Sequence, residues 1–419
     1  MNERLPAILV LSSLVITATA CGSSSAKTSQ KSTTTASKPA STTAPLMAST
    51  SASSVTPTSP ATTSANSTSV AKSSSSSSVA GGDSADVVAI DATRALFAKI
   101  GPNDPGCTVA VSRGGKLVFS EAYGARRLNP TEPITTDTVV DIGSTSKQFT
   151  ATAILFLEKK GVLDLDAPVS TYLPGVAPWA ASVTTRQMMH HQSGIPDYIE
   201  LLSSKGFETT GRSTDADALA ALAETTALKA TPGTTFDYSN SNYFLMGQIV
   251  LRLTGKNLGR FLADEVFTPL GLAMKMDPLA SIPGKAMSYT GKDAARQVAD
   301  SLWEQLGDGG IQTTPTELVK WASQYWAPTV GGSDINVRRL EQSVEDSQLG
   351  GRYGAGILER QVDGTGRVLA HSGGWGGFVT FFAVIPDRQF AIAGTCTSPD
   401  TIAALGFRED LDILRPWIA

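Results

Sequence analysis

Cysteine and histidine are scarce in this 419-residue chain, three of each, and each scarcity closes off a chemistry. Cys21, Cys107 and Cys396 are too few for a disulfide scaffold and too far apart for a zinc site. His190, His191 and His371 are the only histidines, and no Gly-x-Ser-x-Gly elbow accompanies them, so a serine–histidine triad is poorly supported. An excess of basic residues is also missing. Lys and Arg total 34 against 38 Asp and Glu, a formal charge of -4, and without a basic stripe nucleic acid is not an expected partner. No apolar run reaches the roughly 18–20 residues of a spanning helix.

One shorter apolar run does stand out. Leu5 to Ala20 follows Arg4 and ends in small residues, the pattern of a signal peptide over residues 1–20. Ala18-Thr19-Ala20-Cys21 resembles a bacterial lipoprotein cleavage box with alanine in place of the usual leucine, so Cys21 is the expected lipidation site. Residues 21–82 are nearly all Ser, Thr, Ala and Pro, too poor in large apolar groups to offset the entropy of ordering. They read as a tether that holds a domain over residues 83–419 at the outer face of the cytoplasmic membrane, within the cell envelope.

At 41% apolar residues the chain can fill a large core. Val87, Val88, Leu96, Phe97 and Ile100 predict an amphipathic opening helix. Cys107 to Ser112 and Lys116 to Glu121 predict a hairpin turning on Arg113-Gly114-Gly115. The middle of the chain, from Ser144 to about Trp326, reads mostly as helices. Among them are Asn257 to Val266 and a helix opened by Thr314-Pro315-Thr316-Glu317, where Thr314 and Glu317 predict a capping box. Phe378 to Ile385 and Gln389 to Thr395 predict two strands, and Pro399 to Ile413 a last helix. Strands at both ends with helices between imply one sheet assembled from distant segments and an inserted helical lobe.

Ser-x-x-Lys occurs at Ser24–Lys27, Ser69–Lys72 and Ser144–Lys147. Spacing alone also suits a capping serine followed by a solvated lysine, and the first two pairs lie in the tether, where nothing can hold a geometry. The third opens a helical pattern over Thr145 to Lys160 whose Phe149, Ala153, Ile154 and Leu157 share one face. Residues three apart also share a face, so the Lys147 amine can reach the Ser144 hydroxyl. A desolvated lysine titrates low enough to accept its proton.

Several strings place this pair in context: Asp141-Ile-Gly-Ser-Thr-Ser-Lys-Gln-Phe-Thr150, Leu163-Asp-Leu-Asp-Ala-Pro-Val169, His191-Gln-Ser-Gly-Ile-Pro-Asp-Tyr198, Pro232-Gly-Thr-Thr-Phe-Asp-Tyr-Ser-Asn240, Phe267-Thr-Pro-Leu-Gly271, Gly309-Gly310 and His371-Ser-Gly-Gly374. In this order the sequence, from about Ala85 to the end, resembles the penicillin-recognising serine hydrolases related to class C β-lactamases and D-alanyl-D-alanine carboxypeptidases. That family also contains esterases and D-aminopeptidases. The resemblance implies an α/β (α+β) β-lactamase/transpeptidase-like fold, with helices on a five-stranded antiparallel sheet.

It also implies a site. Ser144 is the expected nucleophile, Lys147 the general base, and Tyr238 of Tyr238-Ser239-Asn240 a second base and acid whose ionisation the lysine eases. Asn240 is expected to donate to the substrate amide and to steady Lys147. His371, Ser372 and Gly373 stand where the family usually has Lys-Thr-Gly, which makes His371 a weaker, pH-dependent anchor for a substrate carboxylate. The backbone N–H groups of Ser144 and Gly374 form the implied oxyanion hole. Trp375 either lines the cleft beyond it or fills it.

His190 and His191 read as structural residues closing a helix, and Asp164 and Asp166 as turn and packing residues. Cys107 and Cys396, on strands that are neighbours in the family, are expected to pair. No metal or organic cofactor is implied. The expected activity is acyl transfer to water from a D-amino-acid peptide, a β-lactam or an ester, with carboxypeptidase-like or β-lactamase-like chemistry first and esterase second. A monomer is expected. The alternative of another class is a non-catalytic wall-binding lipoprotein.

Overall fold

The computed structural model describes residues 84–346, 349–407 and 411–418. The signal-peptide, lipidation and tether expectations over residues 1–82 lie outside the described residues. Helix α1 (Ser84–Phe97) buries Asp86, Ala89, Thr93 and Phe97, one face at helical spacing. Val87 and Val88, expected on that face, are exposed instead. The register is set by polar contacts at the buried face: Asp86 pairs with Arg113 at 2.8 Å, and Thr93 accepts a hydrogen bond from the Trp417 indole at 3.0 Å.

Strands β1 (Cys107–Arg113) and β2 (Lys116–Tyr123) form the expected hairpin. Gly114 and Gly115 both have positive φ, as a tight turn between twisted strands requires. The remaining strands of the main sheet come from the C-terminal part: β3 (Val344–Asp346), β4 (Gly351–Tyr353), β5 (Leu358–Val362), β6 (Gly366–Trp375), β7 (Phe378–Ile385) and β8 (Phe390–Cys396). Their order is β3-β4-β5-β6-β7-β8-β1-β2, antiparallel at every pairing.

The sheet is built from both ends of the domain, as expected, but it has eight strands where five were expected. The three additional strands extend β6 at its outer edge. They are short and rich in charged residues, so they carry little of the apolar alternation by which strands are read.

Both faces of the sheet are covered, and side chains alternate between them. Val109, Val111, Phe381, Ala383 and Ile385 pack with α1 and Trp417 on one side. Ala110, Phe382, Val384 and Ala393 join the helical core on the other. At the centre of that core lies α2 (Lys147–Lys159), preceded by a 3₁₀ turn over Gly143–Ser146. Every residue of α2 from Lys147 to Leu157 is buried, so this helix is enclosed all round and not merely along one stripe.

Helix α3 (Asn240–Thr254) packs against α2 and ends on Gly255 at φ 70°. Helix α4 (Pro315–Trp321) lies on β1 and β8. Its cap is half of the expected box. Thr314 accepts from the Glu317 N–H, but the Glu317 carboxylate accepts from Ala273 N at 2.7 Å and so ties down a neighbouring loop. The segment after Asn257 runs as a short helix over Leu258–Leu262 and then a wider π turn over Ala263–Phe267. The last predicted helix is broken: Pro399–Leu405 stops at Gly406 with φ 82°, and the chain resumes as turns over Asp412–Leu414 and Arg415–Ile418.

Cys107 and Cys396 are direct partners in the β1–β8 register and form a disulfide across 289 residues. Thiol blocking of denatured, unreduced protein is expected to leave both cysteines unlabelled. Replacing both by serine should lower unfolding stability by about 2–4 kcal/mol in urea titrations. Two labelled thiols without reductant would show the pair to be open.

Candidate active site

The candidate nucleophile sits where a turn and a strand meet without side chains between them. Gly143 has φ 51°, and a Cβ there would lie 2.7 Å from Gly374 N. A Cβ on Gly373 would lie 2.0 Å from the Ile142 carbonyl oxygen. Only glycine permits this approach, which brings the main chain of β6 alongside the Ser144 turn. The two N–H groups assigned to the oxyanion hole, Ser144 and Gly374, therefore belong to abutting segments.

Ser144 lies inside the 3₁₀ turn that leads into α2, not at a simple helix cap. Lys147, the first residue of α2, places its Nζ 2.9 Å from Ser144 Oγ, 2.8 Å from Asn240 Oδ1 and 2.7 Å from the Asp308 carbonyl oxygen. An ammonium has three hydrogens to donate, and each finds an acceptor. Lys147 is fully buried. Burial lowers its pKa to about 8, against the opposing fields of Asp308 and Asp197. A neutral Lys147 turns a lone pair toward the serine hydroxyl.

Tyr238 completes the cluster. Its phenol contacts Ser144, and its ring lies 4.9 Å below Lys147 Nζ. The expectation that the lysine eases its ionisation is corrected here. Desolvation outweighs every other influence and drives the phenol well above its ordinary value, so Tyr238 is a neutral hydroxyl. It can pass a proton along but does not begin as a phenolate.

Asn240 opens α3. Its backbone N–H and its Nδ2 both donate to Asp197 Oδ2 at 2.8 Å, while its Oδ1 accepts from Lys147. One Nδ2 hydrogen remains for a ligand carbonyl.

His371 departs from its expected role as a carboxylate anchor. The ring is only 5% exposed. Nδ1 lies 2.6 Å from the Ser372 carbonyl oxygen and donates to it, so Nε2 accepts from the Tyr353 hydroxyl at 3.0 Å. Burial and the nearby lysine bring its pKa down to about 4. At neutral pH it is an uncharged residue bound to β4, with neither ring nitrogen free. Ser372 is half-buried beside it.

His190 and His191 are structural, as expected, but His191 does more than close a helix. It adopts φ 54°, and its Nδ1 accepts from Ser239 N and Asn242 Nδ2, both at 3.1 Å. Its ring stacks under Tyr238 at 4.2 Å. His190 Nδ1 lies 3.4 Å from the Tyr353 carbonyl. Asp166 forms a bidentate pair with Arg186, and Asp164 accepts from Asp166 N, the expected turn and packing roles. Trp375 packs against Trp303 at 5.5 Å and remains partly exposed.

Three residues of the site escape sequence reasoning: Asp197, Asp308 and Tyr353. Asp197 was legible as a cap, and its Oδ1 does accept from Ile199 N. Its reach to Asn240 was not legible. Asp308 left no signal beyond its two following glycines. Its Oδ2 accepts from the Tyr198 hydroxyl at 3.1 Å, and its Oδ1 is buried without a partner among the described residues. Tyr353 belongs to a strand that carried too little pattern to be read.

The negative field of Asp308 favours the charged form of Lys147. The kcat/KM of the wild type should rise with pH as Lys147 loses its proton. Asp308→Asn should move that limb to lower pH, because an ammonium without its anion is easier to deprotonate. A pH–rate profile superimposable on the wild type would refute this role for Asp308.

Comparison with known proteins places the chain in a family. A family model described as Beta-lactamase matches residues 96–414. A D-aminopeptidase of Cereibacter sphaeroides is 30% identical over 300 residues, covering 69% of this chain and 55% of that protein. The chain thus spans about half the length of the D-aminopeptidases it matches. Penicillin-binding protein 4* of Bacillus subtilis is 25% identical over 304 residues, covering 67% of this chain and 66% of its own. Among solved structures, D-amino acid amidase from Ochrobactrum anthropi SV3 complexed with D-phenylalanine superposes with a TM-score of 0.67 at 20% identity, covering 80% of this chain and 99% of that one. At that identity the likeness speaks for the fold. With most of the chain matched to its model, the protein belongs to the beta-lactamase family.

Proposed function

We propose that the protein hydrolyses amides or esters through an acyl-enzyme on Ser144, and that its substrates need no terminal carboxylate beyond the scissile bond. The observation that carries this reading is His371. A cation is the favoured partner for the carboxylate of a leaving residue, and this side chain is neutral, buried and engaged at both nitrogens. D-aminopeptidase-like, amidase-like or esterase-like chemistry therefore takes precedence over the carboxypeptidase expectation. The name of the D-aminopeptidase relative supports the same choice.

In the proposed reaction, neutral Lys147 takes the Ser144 proton as Oγ attacks the carbonyl carbon. The oxyanion that forms is met by the backbone N–H groups of Ser144 and Gly374. Tyr238, still protonated, donates to the departing nitrogen or oxygen and is reprotonated from the Lys147 ammonium. Water then enters on the same side, gives its proton back through these groups, and releases the acid. Asn240 holds Lys147 and offers its remaining hydrogen to the acyl part of the substrate. The envelope location belongs to the same proposal and rests on the signal-peptide and lipidation pattern of residues 1–21.

A fluorophosphonate probe should label the wild type and not Ser144→Ala. Lys147→Ala should lower kcat by about 10²–10⁴-fold. D-Alanine amides and short-chain esters should exceed D-Ala-D-Ala peptides in kcat/KM when assayed side by side. Preferential turnover of the D-Ala-D-Ala peptides would sink the reading from His371, and an unlabelled wild type would sink Ser144 as nucleophile.

A further inference from the structure

The two ends of the cleft are chemically unlike. Tyr238, which serves the leaving group in the proposed reaction, lies with Tyr353 and His371, at ring separations of 6.4 Å from Tyr238 to Tyr353 and 5.8 Å from Tyr353 to His371. Trp375 follows Gly374 on β6 and marks the opposite end, against Trp303. A carbonyl held between Ser144 and Gly374 with its leaving group toward Tyr238 directs its acyl group toward Trp375. This assignment of ends rests on the acyl-enzyme reading above.

At the Trp375 end lies a recess lined by Asp141, Lys285, Ser288, Asp300, Trp375 and Phe378. Its wall is firmly attached to the β6–β7 turn. A Cβ on Gly376 would lie 2.3 Å from the Ala299 carbonyl oxygen, and one on Gly377 would lie 2.4 Å from Tyr289 N. The Gly377 N–H also donates to Ser288 Oγ at 3.2 Å.

The two carboxylates in this lining already accept hydrogen bonds from neighbouring groups. Asp141 accepts from Gly143 N at 2.8 Å and Gln312 Nε2 at 2.6 Å, and its burial raises its pKa. Asp300 accepts from Ser288 N at 2.8 Å and Ser288 Oγ at 3.0 Å. Lys285 is half-buried and, among the described residues, makes no hydrogen bond or ion pair through its ammonium. It stands 6.0 Å from the Phe378 ring centroid, and its field reaches Asp141. A half-buried cation without an acceptor, near the Phe378 ring in a recess that Trp375 also lines, suits a ligand that is apolar along its length and anionic at its end.

We propose that Lys285 is a specificity-determining residue that receives a carboxylate carried on the acyl part of the substrate, with Trp375 and Phe378 covering the carbon chain between. The preferred acyl donors are esters or amides of acids bearing a second, free carboxylate. The cationic anchor for a carboxylate that His371 does not supply at the leaving-group end is present at the acyl end instead.

The experiment compares p-nitrophenyl monoesters of glutaric, adipic and pimelic acids with the esters of pentanoic, hexanoic and heptanoic acids. The full-length protein is used in wild-type, Lys285→Met, Lys285→Arg and Lys285→Glu forms. The wild type should prefer the best dicarboxylic monoester over its neutral counterpart by about 10–100-fold in kcat/KM, the range for a hydrogen bond to a charged group. That ratio should survive in Lys285→Arg, fall toward one in Lys285→Met, and invert in Lys285→Glu.

Turnover of the neutral esters that disappears in Ser144→Ala tests the hydrolase reading separately, and its absence would overturn both. With that turnover present, a wild-type ratio near one overturns the role of Lys285 alone. So does a ratio that Lys285→Met leaves in place. If Lys285→Met yields no folded protein by circular dichroism, the Lys285→Arg and Lys285→Glu pair decides, and equal ratios in the two overturn the proposal.

Discussion

A single buried nitrogen holds the centre of this protein together. Lys147 Nζ is out of contact with water and hydrogen-bonds to three oxygens from segments 3, 93 and 161 residues away in sequence. An ammonium buried without acceptors is strongly disfavoured. The start of α2, the start of α3 and the loop at Asp308 must therefore meet at one point for the domain to close around it. The same enclosure makes the residue useful. Desolvation weakens its hold on a proton, and its three partners keep the amine aimed at Ser144 in either protonation state.

Around that point the structure divides its polar groups into those that face a ligand and those that support. Asp197 anchors Asn240, His191 supports the ring of Tyr238, and Tyr353 holds His371. Each supporting contact leaves a neighbouring group with fewer orientations and a more defined direction for its hydrogen bonds. His371 illustrates the consequence. A residue type that titrates near neutrality becomes part of the wall once its two nitrogens have partners and water is excluded. The field available to a ligand then comes from other cations, and Lys285 lies in the recess that Trp375 lines.

Much of the fold was legible from local chemistry. The Gly114-Gly115 hairpin, the Thr314-Pro315 helix start and the strands around Pro386-Asp387 each carry a turn or cap whose stereochemistry is written in adjacent residues. Failures fell where a local pattern was weak or was overridden. The charged strands β3 to β5 have no apolar alternation, and they pair because β6 offers an open edge. Glu317 was placed to close a capping box, yet a loop N–H distant in sequence competed for its carboxylate. Val87 and Val88 looked like core residues and lost that place to Asp86 and Thr93, whose polar partners arrive from Arg113 and Trp417.

The sequence by itself determined the family, the nucleophile candidate, and the grouping of Ser144, Lys147, Tyr238 and Asn240, because these residues sit in short strings whose spacing reflects one helical turn or one helix start. The Cys107–Cys396 pair followed from the same likeness. Tertiary structure alone decided the charge of each group and the direction in which it points. Desolvation, the reach of Asp308 and Asp197, and the closure of Tyr353 over His371 depend on segments brought together across the whole domain. A pKa and a hydrogen-bond partner are properties of that assembled environment and not of a residue type.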